Sequence, residues 1–94
     1  MIRILAIDDE LSIRRLLRIL LEGVGHEILL SEDASHGLHE IALQKPDLVI
    51  LDLGLPDLDG LEALKRLREW TSVPVLVLSS RTDPADKVRA LDLG

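Results

Sequence analysis

Leu48-Val-Ile-Leu-Asp52-Leu-Gly-Leu-Pro56-Asp-Leu-Asp59-Gly60 is the stretch whose reading decides the fold. Leu48 to Leu51 run without interruption into an aspartate, a loop containing Gly54 and Pro56 follows, and Asp59-Gly60 carries a helix-start signal. An unbroken apolar run closed by turn residues reads as a strand buried on both faces. Such strands belong to parallel sheets covered by helices on both sides, and in those sheets ligands bind outside the carboxyl ends of the strands. Asp52 stands at such an end. A carboxylate there is badly placed for packing and well placed for chemistry.

Working outward, the chain alternates short apolar runs with amphipathic ones. Ile2 to Ile7 is a strand interrupted only by Arg3, and it ends in three acids, Asp8, Asp9 and Glu10. Leu11 to Gly23 places Ile13, Leu16, Leu17, Leu20 and Leu21 at i, i+3, i+4, i+7 and i+8, with Arg14, Arg15 and Arg18 mostly opposite; this is an amphipathic helix that Gly23 and Gly25 end. Ile28 to Leu30 is a brief second strand. Asp33 can cap a helix over Ala34 to Leu43, with Leu38, Ile41 and Ala42 facing inward and Pro46 terminating it. After the Leu48–Asp52 strand, Gly60 to Glu69 is a helix with Leu61, Leu64 and Leu67 as its stripe. Val73 to Leu78 is a fourth strand closed by Ser79 and Ser80, and Asp83-Pro84 starts a last helix that runs to about Leu93. The order βαβαβαβα implies an α/β domain with a parallel sheet and right-handed crossovers.

Composition bounds the rest. Ninety-four residues allow one small domain, spanning 1–94, with no linker, repeat or low-complexity segment. The hydrophobic fraction is 47% with one Trp and no Phe or Tyr, so the core must be aliphatic. The absence of cysteine excludes a disulfide framework and Cys-ligated zinc. A net charge of −6 suits nucleic acid poorly, since that partner needs a basic face. No apolar stretch approaches the roughly 20 residues of a membrane span, and the N-terminus meets charge too soon for a secretory signal. The expectation is a cytoplasmic domain that binds neither membrane nor nucleic acid directly.

Two strands end in acid, the first at Asp8-Asp9 and the third at Asp52. In a parallel sheet all carboxyl ends lie on one edge, so three carboxylates converge if these strands are neighbours. Like charges at close range repel unless a cation joins them. Hard oxygen ligands suit Mg²⁺, which typically takes one or two carboxylates, waters and a phosphate. An aspartate can itself be the nucleophile, giving an acyl phosphate, while the metal neutralises the transferring oxygens. Ser79, at the end of the fourth strand, could bond a phosphoryl oxygen. Taken singly, each residue has a plainer reading: Asp52 as a turn residue, Asp9 or Glu10 as a helix cap, Ser79-Ser80 as loop chemistry. Their joint occurrence at strand ends favours the site.

Other motifs fail. The first βα turn has acids where a dinucleotide-binding loop needs glycines. Asp57-Leu-Asp59-Gly60 matches part of a calcium loop, but Leu55 would take the first ligand position and Arg66 the twelfth. His36 and His39 share a helix face without a third ligand and read as solvated. Trp70, at a helix end, reads as partly buried packing.

The combined pattern resembles the receiver domain of two-component response regulators. The residues that carry it are Ile7-Asp8-Asp9-Glu10, Lys45-Pro-Asp-Leu-Val-Ile-Leu-Asp52, Leu55-Pro56-Asp57-Leu58-Asp59-Gly60 and Val73-Pro-Val-Leu-Val-Leu-Ser79. The resemblance implies a flavodoxin-like fold with strand order 2-1-3-4-5. It implies that Asp52 accepts phosphate from a phosphohistidine on a sensor histidine kinase, and that Ser79 is the switch hydroxyl. It also implies that Asp9, Asp52 and the backbone carbonyl of Gly54 bind Mg²⁺ directly, with Asp8 acting mainly through water. Asp86 to Gly94 looks like the fourth helix of the winged-helix transcription-factor class, and Asp52-Leu-Gly-Leu-Pro-Asp57 and Leu67-Arg-Glu-Trp70 look like the potassium-transport (Kdp-type) regulators.

Family members continue into a fifth strand bearing a lysine, an aromatic switch residue and a fifth helix, followed by an output domain. Lys45, Lys65 and Lys87 are the lysines here, none at a strand end. The expectation is therefore a receiver cut short before its last strand and helix, without a DNA-binding domain. With its fourth strand bared as an apolar edge, it should form a homo-oligomer, most simply a dimer. Two other functions compete with the phosphoacceptor switch: an inert interaction module, and an aspartate-nucleophile phosphatase of the haloacid-dehalogenase type. The second is prompted by Asp57-Leu-Asp59-Gly60, which does not directly follow a strand as that family requires.

Overall fold

The computed structural model describes residues 1–78. In chain order it contains β1 (Arg3–Ile7), α1 (Leu11–Gly23), β2 (Glu27–Ser31), α2 (Ala34–Gln44), β3 (Leu48–Asp52), α3 (Gly60–Arg68) and β4 (Val75–Leu78). The strands form one parallel sheet in the order β2-β1-β3-β4, the part of the expected 2-1-3-4-5 order that the described residues span. The expected helix after Asp83-Pro84 lies outside the described residues.

Apolar side chains on successive strand positions point to opposite faces, and both faces are covered. Leu5, Ile7, Val49 and Leu51 pack with Ala34 and Ile41 of α2 and with Ala63, Leu64 and Leu67 of α3. Ile4, Ala6, Ile28 and Ile50 point the other way, against Leu17 and Leu21 of α1. The core is aliphatic throughout, as the lack of aromatics requires. Trp70 is half exposed beside it.

Four sequence expectations need correction. The inward stripe of α1 is narrower than its periodicity implies: Ile13, Leu17 and Leu21 are half-buried, whereas Leu16 and Leu20 are exposed at 49% and 56%. A single sheet face meets only the i, i+4, i+8 row of this helix. In α2 the inward residues are Ala34, Gly37, Leu38 and Ile41, at i, i+3, i+4 and i+7, and Ala42 is exposed. α2 also runs one residue further, to Gln44, and ends on Lys45 in the left-handed region (φ 49°), whose N–H donates to the Ile41 carbonyl. β4 begins at Val75 rather than Val73, because Pro74 has no N–H to offer and the Val73 carbonyl is taken by the Arg68 guanidinium at 2.6 Å.

The amino ends of the strands are tied together through Arg3. Its backbone N–H donates to an Asp47 carboxylate oxygen at 2.8 Å, and its carbonyl accepts from the Asp47 N–H at 2.7 Å. Its guanidinium reaches Glu27 at 2.9 Å and the Gln44 carbonyl at 2.9 Å. β1, β2 and the turn before β3 are thus joined at one edge, and the opposite edge is left to the acids.

Candidate functional site

The register sets the site. Ile7 pairs with Leu51, so the next residues along β1 and β3 are Asp8 and Asp52, side by side at the carboxyl edge. They share the parity of Ile4, Ala6 and Ile50, on the α1 face. Asp9 follows in the β1–α1 loop. One carboxylate oxygen from each of Asp8, Asp9 and Asp52 lies within 4.8 Å of the others. Asp8 and Asp52 are buried, with 6% and 8% of their surface exposed, and Asp9 is exposed. The three strand-end acids expected from sequence are therefore brought together.

Local hydrogen bonds hold each carboxylate. Asp8 Oδ1 accepts from the Glu10 N–H at 2.9 Å, and Asp52 Oδ1 accepts from the Gly54 N–H at 3.2 Å. Glu10 occupies the cap position of α1 but makes no side-chain capping bond, so neither Asp9 nor Glu10 is spent as a cap. Burial pushes the Asp52 carboxyl above its ordinary value; the Gly54 N–H opposes this, and the charges of Asp8 and Asp9 add to it. Burial likewise raises Asp8, against the Glu10 N–H, with Asp9 and Glu10 adding to the rise and Arg14 countering it. Two buried, mutually repelling carboxylates beside a third, open to solvent on one side, form an all-oxygen donor set that can hold a metal ion.

Close backbone approach makes this edge compact. A Cβ on Gly60 would stand 2.5 Å from the Leu53 Cα and 2.7 Å from the Asp52 carbonyl oxygen, so α3 starts against the end of β3 only because residue 60 is glycine. The Gly60 N–H donates to the Leu53 carbonyl at 3.2 Å and closes the loop between them. Asp59 Oδ1 accepts from the Leu61 N–H at 2.9 Å, the capping role its sequence position suggests.

The contacts of two residues near the site escaped the sequence reading. Arg14, placed on the solvent face of α1 by periodicity, is largely buried and donates Nη1 to the Asp8 carbonyl at 2.8 Å. The available signal was an arginine in the first turn after the acidic triplet. Asp57 reaches across to α2: Oδ1 accepts from the Ala34 N–H and Oδ2 from the Ser35 N–H, each at 2.9 Å. Those two N–H groups hold its carboxyl below the usual range. No sequence signal points to a partner more than twenty positions upstream. Asp57 and Asp59 are thus both engaged elsewhere, and the metal-competent group of the described residues does not include them. His36 and His39 are exposed, as expected, and His36 contacts the Ser31 hydroxyl and Glu40. Gly54 sits in the turn after Asp52 and is exposed. Ser79 lies outside the described residues.

Residues 4–94 match the family model for the response regulator receiver domain. The chain belongs to that family. Among curated relatives, it is 52% identical over 94 residues to the KDP operon transcriptional regulatory protein KdpE of Escherichia coli K12, and 50% identical over 91 residues to the transcriptional regulatory protein KdpE of Mycobacterium tuberculosis. All of the chain is covered in the first comparison and 97% in the second, whereas the chain spans 42% and 40% of those regulators. Among solved structures, a Francisella response regulator receiver domain superposes with a TM-score of 0.93 at 27% identity, covering 100% of this chain and 78% of that one. The BeF3-activated receiver domain of Klebsiella pneumoniae RstA gives 0.92 at 26% identity, covering 98% and 79%. This receiver domain is of the Kdp type by similarity, with a flavodoxin-like α/β fold. Receiver domains act as phosphoacceptor switches in two-component signalling. Among the described residues, no helix is long and apolar enough to cross a membrane.

Proposed function

We propose that Asp52 is the phosphoacceptor of this receiver domain, taking a phosphoryl group from a phosphohistidine of a sensor histidine kinase with Mg²⁺ at the acidic edge. The observation that carries the reading is the convergence of the Asp8, Asp9 and Asp52 carboxylates within 4.8 Å at the strand ends. In the transfer, an Asp52 carboxylate oxygen bonds to phosphorus as the bond from phosphorus to the imidazole nitrogen breaks. The imidazole keeps the electron pair, and Asp52 becomes an acyl phosphate. The Gly54 N–H on Oδ1 fixes the carboxylate and leaves its second oxygen to attack. Asp9, Asp52 and the Gly54 carbonyl are the proposed direct ligands, with Asp8 acting through water. Bound there, Mg²⁺ supplies charge neutralisation for the phosphoryl oxygens. Ser79 is the proposed switch hydroxyl. By similarity to the KdpE regulators, the reading extends to control of transcription by the phosphorylated state.

Intact mass after incubation with acetyl phosphate and Mg²⁺ tests the proposal. One phosphoryl group should add to the wild type and none to Asp52→Asn. Undiminished labelling of Asp52→Asn would overturn the assignment, and a wild type that never labels would favour the inert module. The phosphatase alternative is disfavoured, because Asp57 is bound to α2 and Asp59 caps α3. Self-association joins the proposal through Leu76, an exposed apolar residue on β4, which lies at a sheet edge among the described residues. Light scattering over a dilution series tests it, and a monomer throughout would refute it.

A further inference from the structure

The loop from Leu53 to Asp59 carries much of what the site needs, since Gly54 both restrains Asp52 and is a proposed metal ligand. Near its ends the loop is held by the Gly60–Leu53 hydrogen bond and by the Asp59 cap. Its middle is exposed at Gly54, Pro56 and Asp57, while Leu55 between them is buried in the core that also holds Ala34 and Ile41. The polar tie from that middle is the Asp57 carboxylate, whose two oxygens each take one N–H from the first two residues of α2. α2 is itself firmly seated. Ala34 is fully buried and Ile41 nearly so, and Gly37 lies so close to β1 that an added Cβ would collide with Ile7. α2 also has its own cap, since Asp33 Oδ1 accepts from the His36 N–H at 2.8 Å. The two N–H groups that Asp57 satisfies are separate from the one that Asp33 takes.

We propose that Asp57 is a positioning residue for phosphoryl transfer: it latches the β3–α3 loop to the amino end of α2 and so fixes Gly54 against Asp52. The inference rests on Asp52 being the phosphoacceptor. Two charge-assisted hydrogen bonds to neighbouring N–H groups fix both the distance and the orientation of the carboxylate. The loop is then held near its ends by two hydrogen bonds and in its middle by the burial of Leu55 and by the Asp57 tie to α2. Without the Asp57 tie, Gly54 keeps its bond to Asp52 and the anchorage of the buried Leu53 and Leu55 on either side, but the loop loses its hydrogen bonds to α2. Asp57 touches neither the phosphoryl group nor the metal ligands, and its effect passes through the backbone of residues 54–57.

Asp57→Ala, Asp57→Asn and Asp33→Ala test this. The readouts are the Gly54 amide resonance in metal-free protein, Mg²⁺ affinity by calorimetry, and labelling by acetyl phosphate resolved into a maximal rate and a half-saturating concentration. Asp57→Ala should shift the Gly54 resonance and weaken Mg²⁺ binding. It should also lower the maximal rate by about tenfold, less than the ~100-fold that a 1 Å misplacement can cost. Asp57→Asn keeps one accepting oxygen and should recover part of each loss. Asp33→Ala removes an acceptor from the same helix end without untying the loop, and should leave Gly54 and the maximal rate as in the wild type. An unmoved Gly54 resonance with unchanged Mg²⁺ affinity in Asp57→Ala would overturn the proposal. Equal losses in Asp33→Ala and Asp57→Ala would do so too, by reducing the effect to helix stability. If Asp57→Ala does not fold, the comparison of Asp57→Asn with Asp33→Ala decides by the same criteria. A wild type that takes no phosphate would instead defeat the phosphoacceptor reading, while the Gly54 resonance and Mg²⁺ affinity would still decide the latch.

Discussion

Burial, above all, disfavours the charged forms of Asp52 and Asp8, and neighbouring acids add to it. Both native carboxyls lie above the ordinary value of 3.8, so the folded chain holds these protons more tightly than the unfolded one. Their contribution to stability is therefore full below 3.8 and is lost as pH rises through the raised native values. Asp52→Asn removes one of the two charges. In the absence of divalent cations this variant should melt above the wild type at about pH 7, and the gap should close near pH 4. Thermal melts at the two pH values in a chelating buffer check it; a variant that melts below the wild type at neutral pH would contradict the electrostatic account. The acids themselves were legible in the sequence because strand ends are legible: an apolar run that stops at a carboxylate locates that carboxylate on the sheet edge. Arg14 and Asp57 were not, because their partners are backbone groups brought near by tertiary packing, and periodicity records only which way a side chain leaves its own element.

At the scale of elements, the sequence was most readable where burial is most complete. β3 was read to its exact bounds, Leu48–Asp52, since a strand covered on both faces is an unbroken apolar run and this one stops at a carboxylate. α3 was nearly as clear, and its predicted stripe of Leu61, Leu64 and Leu67 is buried throughout. Leu64 is wholly inaccessible beneath the sheet, and Leu64→Ala should cost about 2–5 kcal/mol in urea unfolding. A loss under 1 kcal/mol would mean that α3 collapses into the space, an outcome its glycine contact with the end of β3 makes difficult. α1 was read too generously. Apolar periodicity counts every leucine on a broad face, but only the row that meets the sheet is covered, so Leu16 and Leu20 remain in water. The start of β4 was misplaced for a different reason: hydropathy cannot register that Val73 has lent its carbonyl to Arg68 at the end of α3, and the proline that follows has no N–H to pair.

For the whole molecule, the strand order decides function, because it alone makes the ends of β1 and β3 adjacent. Sequence alternation implied a parallel sheet, while adjacency followed only from the resemblance to receivers, since hydropathy carries no record of which strands are neighbours. A site built from mutually repelling acids couples cation binding to stability. Mg²⁺ at ten times its dissociation constant should stabilise the domain by about 1.4 kcal/mol, the value for one ligand that binds only the folded state. Melting with and without the ion checks this, and an unshifted midpoint would mean that the acidic edge does not bind it. The Arg3 tie at the opposite edge has a consequence for deuterium uptake. Amides there, including those of Arg3, Glu27 and Asp47, are hydrogen-bonded across separate strands and turns, so they should exchange mainly when the sheet opens as a whole. The amides of Gly54 and Gly60 are held only within their own loop and should exchange through small local openings. One molecule thus carries a slow clock at one edge and a fast one at the other, and occupation of the acidic edge should slow the second far more than the first.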